Sequence, residues 1–152
     1  MELEKKVNYH HFKSEYEKIL VNIYYTNNWL FDNYQKILKK YNLTTQQFNV
    51  LKILFASYQK PLMISSIKER MLDKNSDITR IVERLFVKNL VTRRRNQSNR
   101  RKVFVRLSIK GYQLMKKMNK EVQVFEKLVN HLTPKEAVEL NILLNKIRKK
   151  SA

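Results

Sequence analysis

Six arginines and one lysine fall between Val91 and Arg106, with no acid among them. The run reads VTRRRNQSNRRKVFVRL through Leu107. A guanidinium presents a planar fork of donors that fits phosphate oxygens, and charges this dense repel one another unless an anion lies close. The chemistry on offer is therefore recognition of a polyanion. Directly upstream, Asn75 to Leu90 reads NSDITRIVERLFVKNL. Ile78, Ile81, Val82 and Leu85 recur at three- and four-residue steps, which puts them on one buried stripe of a helix. The opposite side carries Ser76, Arg80 and Glu83, flanked by Thr79 and Arg84. Hydroxyl and guanidinium groups on such a face suit a groove of DNA. Any surface helix has a polar side, so the adjoining basic run is what gives this one meaning.

The elements that must position these groups follow from the flanking residues. Leu90-Val91-Thr92 and Val103 to Leu107 are strand-like runs around a polar tip, Arg93 to Lys102, and predict a hairpin. Asn75 is expected to cap the helix, with Asp77 in its first turn. Before it, Asp73 to Asn75 form a turn, Ser65 or Ser66 caps a brief helix running through Leu72, and Ile64 is a short strand. Lys68 and Arg70 there could touch phosphate or only water. Thr44 with Gln47 makes a capping box for a helix whose Phe48, Leu51, Ile53, Leu54 and Phe55 form a wide apolar face, ended by Tyr58 to Pro61.

Long amphipathic helices are expected at both ends. Tyr9 to Lys40 contains neither Gly nor Pro and carries apolar residues at helical steps, spanning about 45 Å. It is rich in aromatics, and Tyr24, Trp29 and Phe31 could line a pocket for a planar ligand or simply pack. After the hairpin, Ser108 caps a helix with Leu114, Met115, Met118, Val122, Phe125, Leu128, Val129 and Leu132. Thr133-Pro134-Lys135-Glu136 then starts a last helix, expected to bury Ala137, Leu140, Leu143, Leu144 and Ile147.

Composition narrows the function classes. The 152 residues suit one domain, 43% hydrophobic content supports a core, and a net charge of +19 with pI near 10.2 calls for a polyanionic partner. There is no cysteine, which removes disulfides, zinc–thiolate sites and thiol redox sensing. His10 and His11 splay about 100° apart on a helix and His131 is distant, so no metal site and no cofactor are expected. Nothing resembles a secretory segment or a membrane span, so a cytoplasmic protein without membrane contact is expected. One Gly and two Pro favour long helices. There is no Ser-His-Asp order, no Gly-rich phosphate loop and no paired acids near a histidine, so an enzyme is not expected. Acids such as Glu15 sit at ion-pair spacing from lysines such as Lys18.

The order of these pieces resembles the MarR family of bacterial transcription regulators. The carriers are IVERLFVKNLV, the basic hairpin, and Leu107-Ser108-Ile109-Lys110-Gly111 opening a helix. The resemblance implies a mainly α fold with a β-hairpin wing: a winged helix-turn-helix over about 43–107, with dimerisation helices over about 1–42 and 108–152 of a single domain. It also implies that Arg101 reaches the minor groove. Asn99 stands where the family usually has Asp, and Asn89 where Gly usually ends the recognition helix. The expected activity is sequence-specific regulation by a homodimer on pseudo-palindromic double-stranded DNA, with release by a small aromatic effector as one option. Ser66, Asn75, Ser76, Thr79, Arg80 and Arg84 would serve the helix-turn-helix, and Arg93, Arg94, Arg95, Arg100, Arg101 and Lys102 the wing. Arg93 to Arg95 are expected to meet only phosphate. An architectural protein with little sequence specificity is the alternative, separable by the ratio of operator to random-DNA affinity. RNA binding is weaker, since no aromatic stacking platform is evident on a strand.

Overall fold

The computed structural model describes residues 2–7, 11–57, 60–95, 103–121 and 123–149. By contacts the chain divides into two compact units, residues 1–112 and 113–152.

In the first unit, α1 (Glu2–Val7) precedes α2 (Glu15–Lys39), α3 (Thr45–Ala56), β1 (Leu62–Met63), α4 (Ile64–Arg70), α5 (Ile78–Val87), β2 (Val91–Arg95) and β3 (Val103–Leu107). The helix α6 (Ile109–Glu121) begins here and runs into the second unit, which holds α7 (Gln123–Glu126) and α8 (Pro134–Ile147). This is the expected mainly α architecture with a small antiparallel sheet. At the centre is α3, which packs on α2, α4, α5 and β3. Phe48, Val50, Leu51 and Leu54 of α3 are buried among Leu38, Ile67, Val82, Leu85 and Val105. Each such side chain contributes about 1.5–3 kcal/mol through the surface it removes from water.

The sheet order is β1-β3-β2. Val91 pairs with Leu107, Arg93 with Val105, Thr92 with Arg106 and Arg94 with Phe104. Strand alternation therefore puts Val91, Arg93, Val105 and Leu107 on one face and Thr92, Arg94, Phe104 and Arg106 on the other. The first set includes the buried Val91, Val105 and Leu107 and is the inward face.

Several expectations shift. The long helix begins at Glu15, not Tyr9, because the Ser14 hydroxyl accepts the Glu17 amide at 3.2 Å and the Glu17 carboxylate accepts the Lys13 amide at 2.6 Å. Lys18 pairs with Glu4 of α1 at 2.7 Å, and that hydrogen bond holds the Glu4 carboxyl down at about 2. The short strand is Leu62–Met63, and Ile64 is already helical. Neither Ser65 nor Ser66 caps α4: the cap position is Met63, without a side-chain bond, and both serines lie inside the helix, which ends at Arg70. The capping boxes at Thr44–Gln47 and Thr133–Glu136 are present as expected. Ser108 accepts the Gly111 amide at 2.9 Å, which starts α6. In α8 no residue is buried; Leu140, Leu143 and Ile147 are exposed, contrary to expectation. Tyr9, His10, Tyr58, Gln59 and Val122 lie outside the described residues.

Candidate nucleic-acid interface

The α5 helix is held at both ends and along one side. Its start is capped by Asp77, whose carboxylate accepts the Arg80 amide at 3.1 Å. Asn75, the expected cap, instead belongs to the turn before it. The Asp73 carboxylate takes both the Asn75 amide (3.0 Å) and the Ser76 hydroxyl (2.8 Å), which draws these residues back from the helix. Ile78, Val82 and Leu85 are buried. The helix ends on Asn89 at φ 58°, with Leu90 N–H donating to the Leu85 carbonyl and Asn89 N–H to that of Phe86. This is the Schellman pattern, and asparagine tolerates its left-handed residue. The same pattern ends α2 at Asn42, φ 52°, which sequence reasoning missed.

A second connection to the end of α5 was also missed. The Lys88 ammonium donates to the Asn42 carbonyl and, at 3.2 Å, to Gln47 Oε1. Gln47 is itself buried and also accepts the Thr44 amide. The C-terminal end of α5 is thus fastened to the turn between α2 and α3. The available signal was a lysine at the cap position preceding Asn89, where cations favour exposed carbonyls.

With α5 so held, Thr79, Arg80 and Arg84 stand exposed along its outer side. Arg80 and Arg84 border a shallow cavity of about 270 Å³ with Ser76, Gln46 and Asp73. Ser76 is half-buried and its hydroxyl proton is committed to Asp73, which leaves it as an acceptor only. Ser66 is half-buried within α4, and Asn75 is exposed.

The hairpin separates its arginines. Arg94 and Arg106 lie on the outward face and, with Thr92, Phe104, Pro61 and an edge of Arg93, border a concavity of about 370 Å³. Arg93 springs from the inward face by register, yet remains exposed. Its guanidinium is paired with the Glu83 carboxylate and stacks 4.1 Å from the Phe86 ring centroid. Of Arg95 only the backbone is described, in β2; Asn99, Arg100, Arg101 and Lys102 lie outside the described residues. Tyr24, Trp29 and Phe31 stand exposed on α2, 70%, 40% and 47% accessible, and line neither of these cavities nor the one of about 410 Å³ beside Leu43, Val87 and Lys88. Among the described residues no group of histidines and acids is placed to hold a metal ion, and no helix is long and apolar enough to cross a membrane.

Known proteins share this arrangement. A MarR transcription factor from Planctomyces limnophilus superposes with a TM-score of 0.69 at 29% identity, covering 89% of this chain and 98% of that one. A MarR variant from E. coli, solved in complex with operator DNA, superposes at 0.76 and 24% identity, covering 92% and 100%, which is a likeness of fold. The HTH-type transcriptional regulator MgrA of Staphylococcus aureus is 28% identical over 127 residues, 84% of this chain and 79% of its own. Residues 32–118 match the family described as Transcriptional regulator SarA/Rot. A MarR-type winged helix-turn-helix carries the site, and the chain belongs to the SarA/Rot family of transcriptional regulators.

Proposed function

We propose that the regulator acts as a cytoplasmic homodimer on pseudo-palindromic double-stranded DNA, each copy placing α5 in the major groove and its hairpin along the backbone. The observation that carries this is the outer side of α5, with Thr79, Arg80 and Arg84 exposed beside a hairpin rich in arginine. In that arrangement Ser76, Thr79 and Arg80 read base edges, while Arg94 and Arg95 meet phosphates. Arg100, Arg101 and Lys102 hold the wing tip on the backbone, with Arg101 entering the minor groove, where narrow A·T stretches concentrate negative potential. Two modules on one dimer would meet half-sites about one helical turn apart.

A second copy is the natural cover for the apolar surface left open. Tyr16, Leu20 and Tyr24 on α2 are exposed, as are Val138, Ile142 and Leu143 on α8. Light scattering at micromolar concentration that finds only an 18.5 kDa species overturns the dimer. An aromatic effector near Tyr24, Trp29 or Phe31 would release DNA only by binding the DNA-free arrangement more tightly. Quenching of Trp29 by salicylate-like molecules, with loss of DNA binding, tests it; an unchanged ligand response in Trp29→Phe removes Trp29 from the contact.

Genomic footprinting followed by salt titration on the recovered operator and on random DNA tests the regulator reading. The expected result is an operator preference of 10³-fold or more, on the order of that seen for specific regulators. Affinities within a small factor of each other would instead make the protein architectural. Arg101→Ala is expected to lower operator affinity by about 1–3 kcal/mol, most at A·T-rich wing sites.

A further inference from the structure

We infer that Arg93 serves DNA recognition from behind, as a positioning residue that ties the hairpin to α5 and neutralises Glu83, and makes no phosphate contact of its own. The inference rests on the winged DNA-binding reading above. Three independent observations on the side chain converge. The register with Val105 places Arg93 on the inward face of the sheet, in line with the buried Val91. Its two terminal nitrogens reach the two oxygens of Glu83, Nη1 to Oε2 and Nη2 to Oε1 at 3.4 Å. The guanidinium carbon lies over the ring of Phe86, 4.1 Å from its centroid, about one helical turn beyond Glu83. A two-point fork on the carboxylate and a cation over the ring are both used, and a lysine cannot reproduce the fork.

The position of Glu83 gives the pairing its purpose. Arg80 and Arg84 make the exposed side of α5 cationic, and Glu83 is the acid between them, about half exposed. An unpaired carboxylate there would repel the phosphate backbone. Paired with Arg93 it adds no net charge to that face, and it fixes β2 against the helix. The wing and the recognition helix then approach DNA as one body, so their relative placement need not be ordered on binding.

The test is a cycle of Arg93→Ala, Arg93→Lys, Glu83→Gln and Glu83→Gln/Arg93→Ala, with Arg94→Ala as the phosphate-contact reference. Binding to operator and random DNA is measured across salt, and thermal melting checks that each variant folds. Arg94→Ala should weaken both DNAs alike and shallow the log–log salt slope by about one. Arg93→Ala should lower operator affinity by roughly tenfold, within the range for residues sharing one network. Arg93→Lys should recover only part of the loss, since it keeps the charge but not the two-point fork. In the Glu83→Gln background, where no carboxylate is freed, Arg93→Ala should add little and leave the salt slope unchanged. A slope loss of about one when Arg93→Ala is added to Glu83→Gln, wild-type behaviour of Arg93→Lys, or an equal cost of Arg93→Ala in both backgrounds each overturns the inference. These outcomes leave the DNA-binding reading intact, whereas a wild-type chain without DNA affinity overturns that reading and this inference with it.

Discussion

The helices α5 and α8 share their local grammar, and the chain treats them in opposite ways. Each begins on a carboxylate or hydroxyl cap that takes a backbone amide three residues on, Asp77 for Arg80 and Thr133 for Glu136. Each then repeats apolar residues at helical steps. In α5 the apolar side is narrow, and Ile78, Val82 and Leu85 are all buried. In α8, Ala137, Val138, Leu140, Ile142, Leu143, Leu144 and Ile147 leave little of the circumference polar, and none of them is buried. A helix apolar on more than one side calls for cover on more than one side. Caps decide where a helix starts; they say nothing about what closes over it.

The contrast is sharpest in paired truncations. Leu85→Ala should destabilise the fold by about 3–4 kcal/mol, as for other buried leucines, read from denaturant melts. Leu140→Ala should cost the isolated chain less than about 0.5 kcal/mol, while raising the concentration at which subunits associate, read by sedimentation. A large loss of stability in Leu140→Ala at concentrations where the wild type is monomeric would break the comparison.

Gly111→Ala probes how tightly the end of α5 is docked. A Cβ there would lie 1.9 Å from the Leu90 carbonyl oxygen, a backbone atom with no room to yield. The same carbonyl accepts the Ser108 amide at 3.0 Å, and the Ser108 hydroxyl donates to the Asn89 carbonyl at 2.6 Å. The expected cost is about 3 kcal/mol, at the top of the overpacking range, seen as a lowered melting temperature. Asn89→Ala should cost about 1 kcal/mol, the strain of a left-handed alanine, and Asn89→Gly should restore it.

The smallest effect belongs to α8. The Thr133 amide and hydroxyl hold the Glu136 carboxyl below its ordinary value of 4.5. A carboxyl lowered by folding contributes stability above its unfolded pKa, and that contribution drains away as pH falls through the folded value. The helical signal of wild type relative to Glu136→Gln should therefore fall on acidification from about pH 5 toward pH 3. An offset that stays constant with pH would mean the cap does not depend on the charge.

Sequence periodicity located α3 and α5 because both have one strongly apolar side and near neighbours to bury it. It placed the start of α2 six residues early, although Ser14-x-x-Glu17 spells a capping signature. It chose Asn75 over Asp77 as a cap, since either residue can do it and only the Asp73 turn decides. The hairpin was legible, and Arg101 was set apart from the rest, yet Arg93, Arg94 and Arg95 were read as equivalent. Alternation from the buried Val91 already turns Arg93 inward, but Glu83 and Phe86 become its partners only once β2 lies against α5. Partnerships that bridge elements, such as Lys88 with Asn42, are set by packing and leave little local trace.

Two helices of this chain end on left-handed asparagines, Asn42 and Asn89, while the single glycine is placed where a Cβ has no space. A glycine at either turn would relax the folded backbone, but it would also widen the ensemble of unfolded conformations that folding must collapse. Replacing such freedom with a side chain is worth about 0.4–1 kcal/mol at compatible positions, which offsets much of the asparagine's own strain. The turns on which α2 and α5 end are therefore favoured as much by the shape of the disordered chain as by contacts within the ordered one.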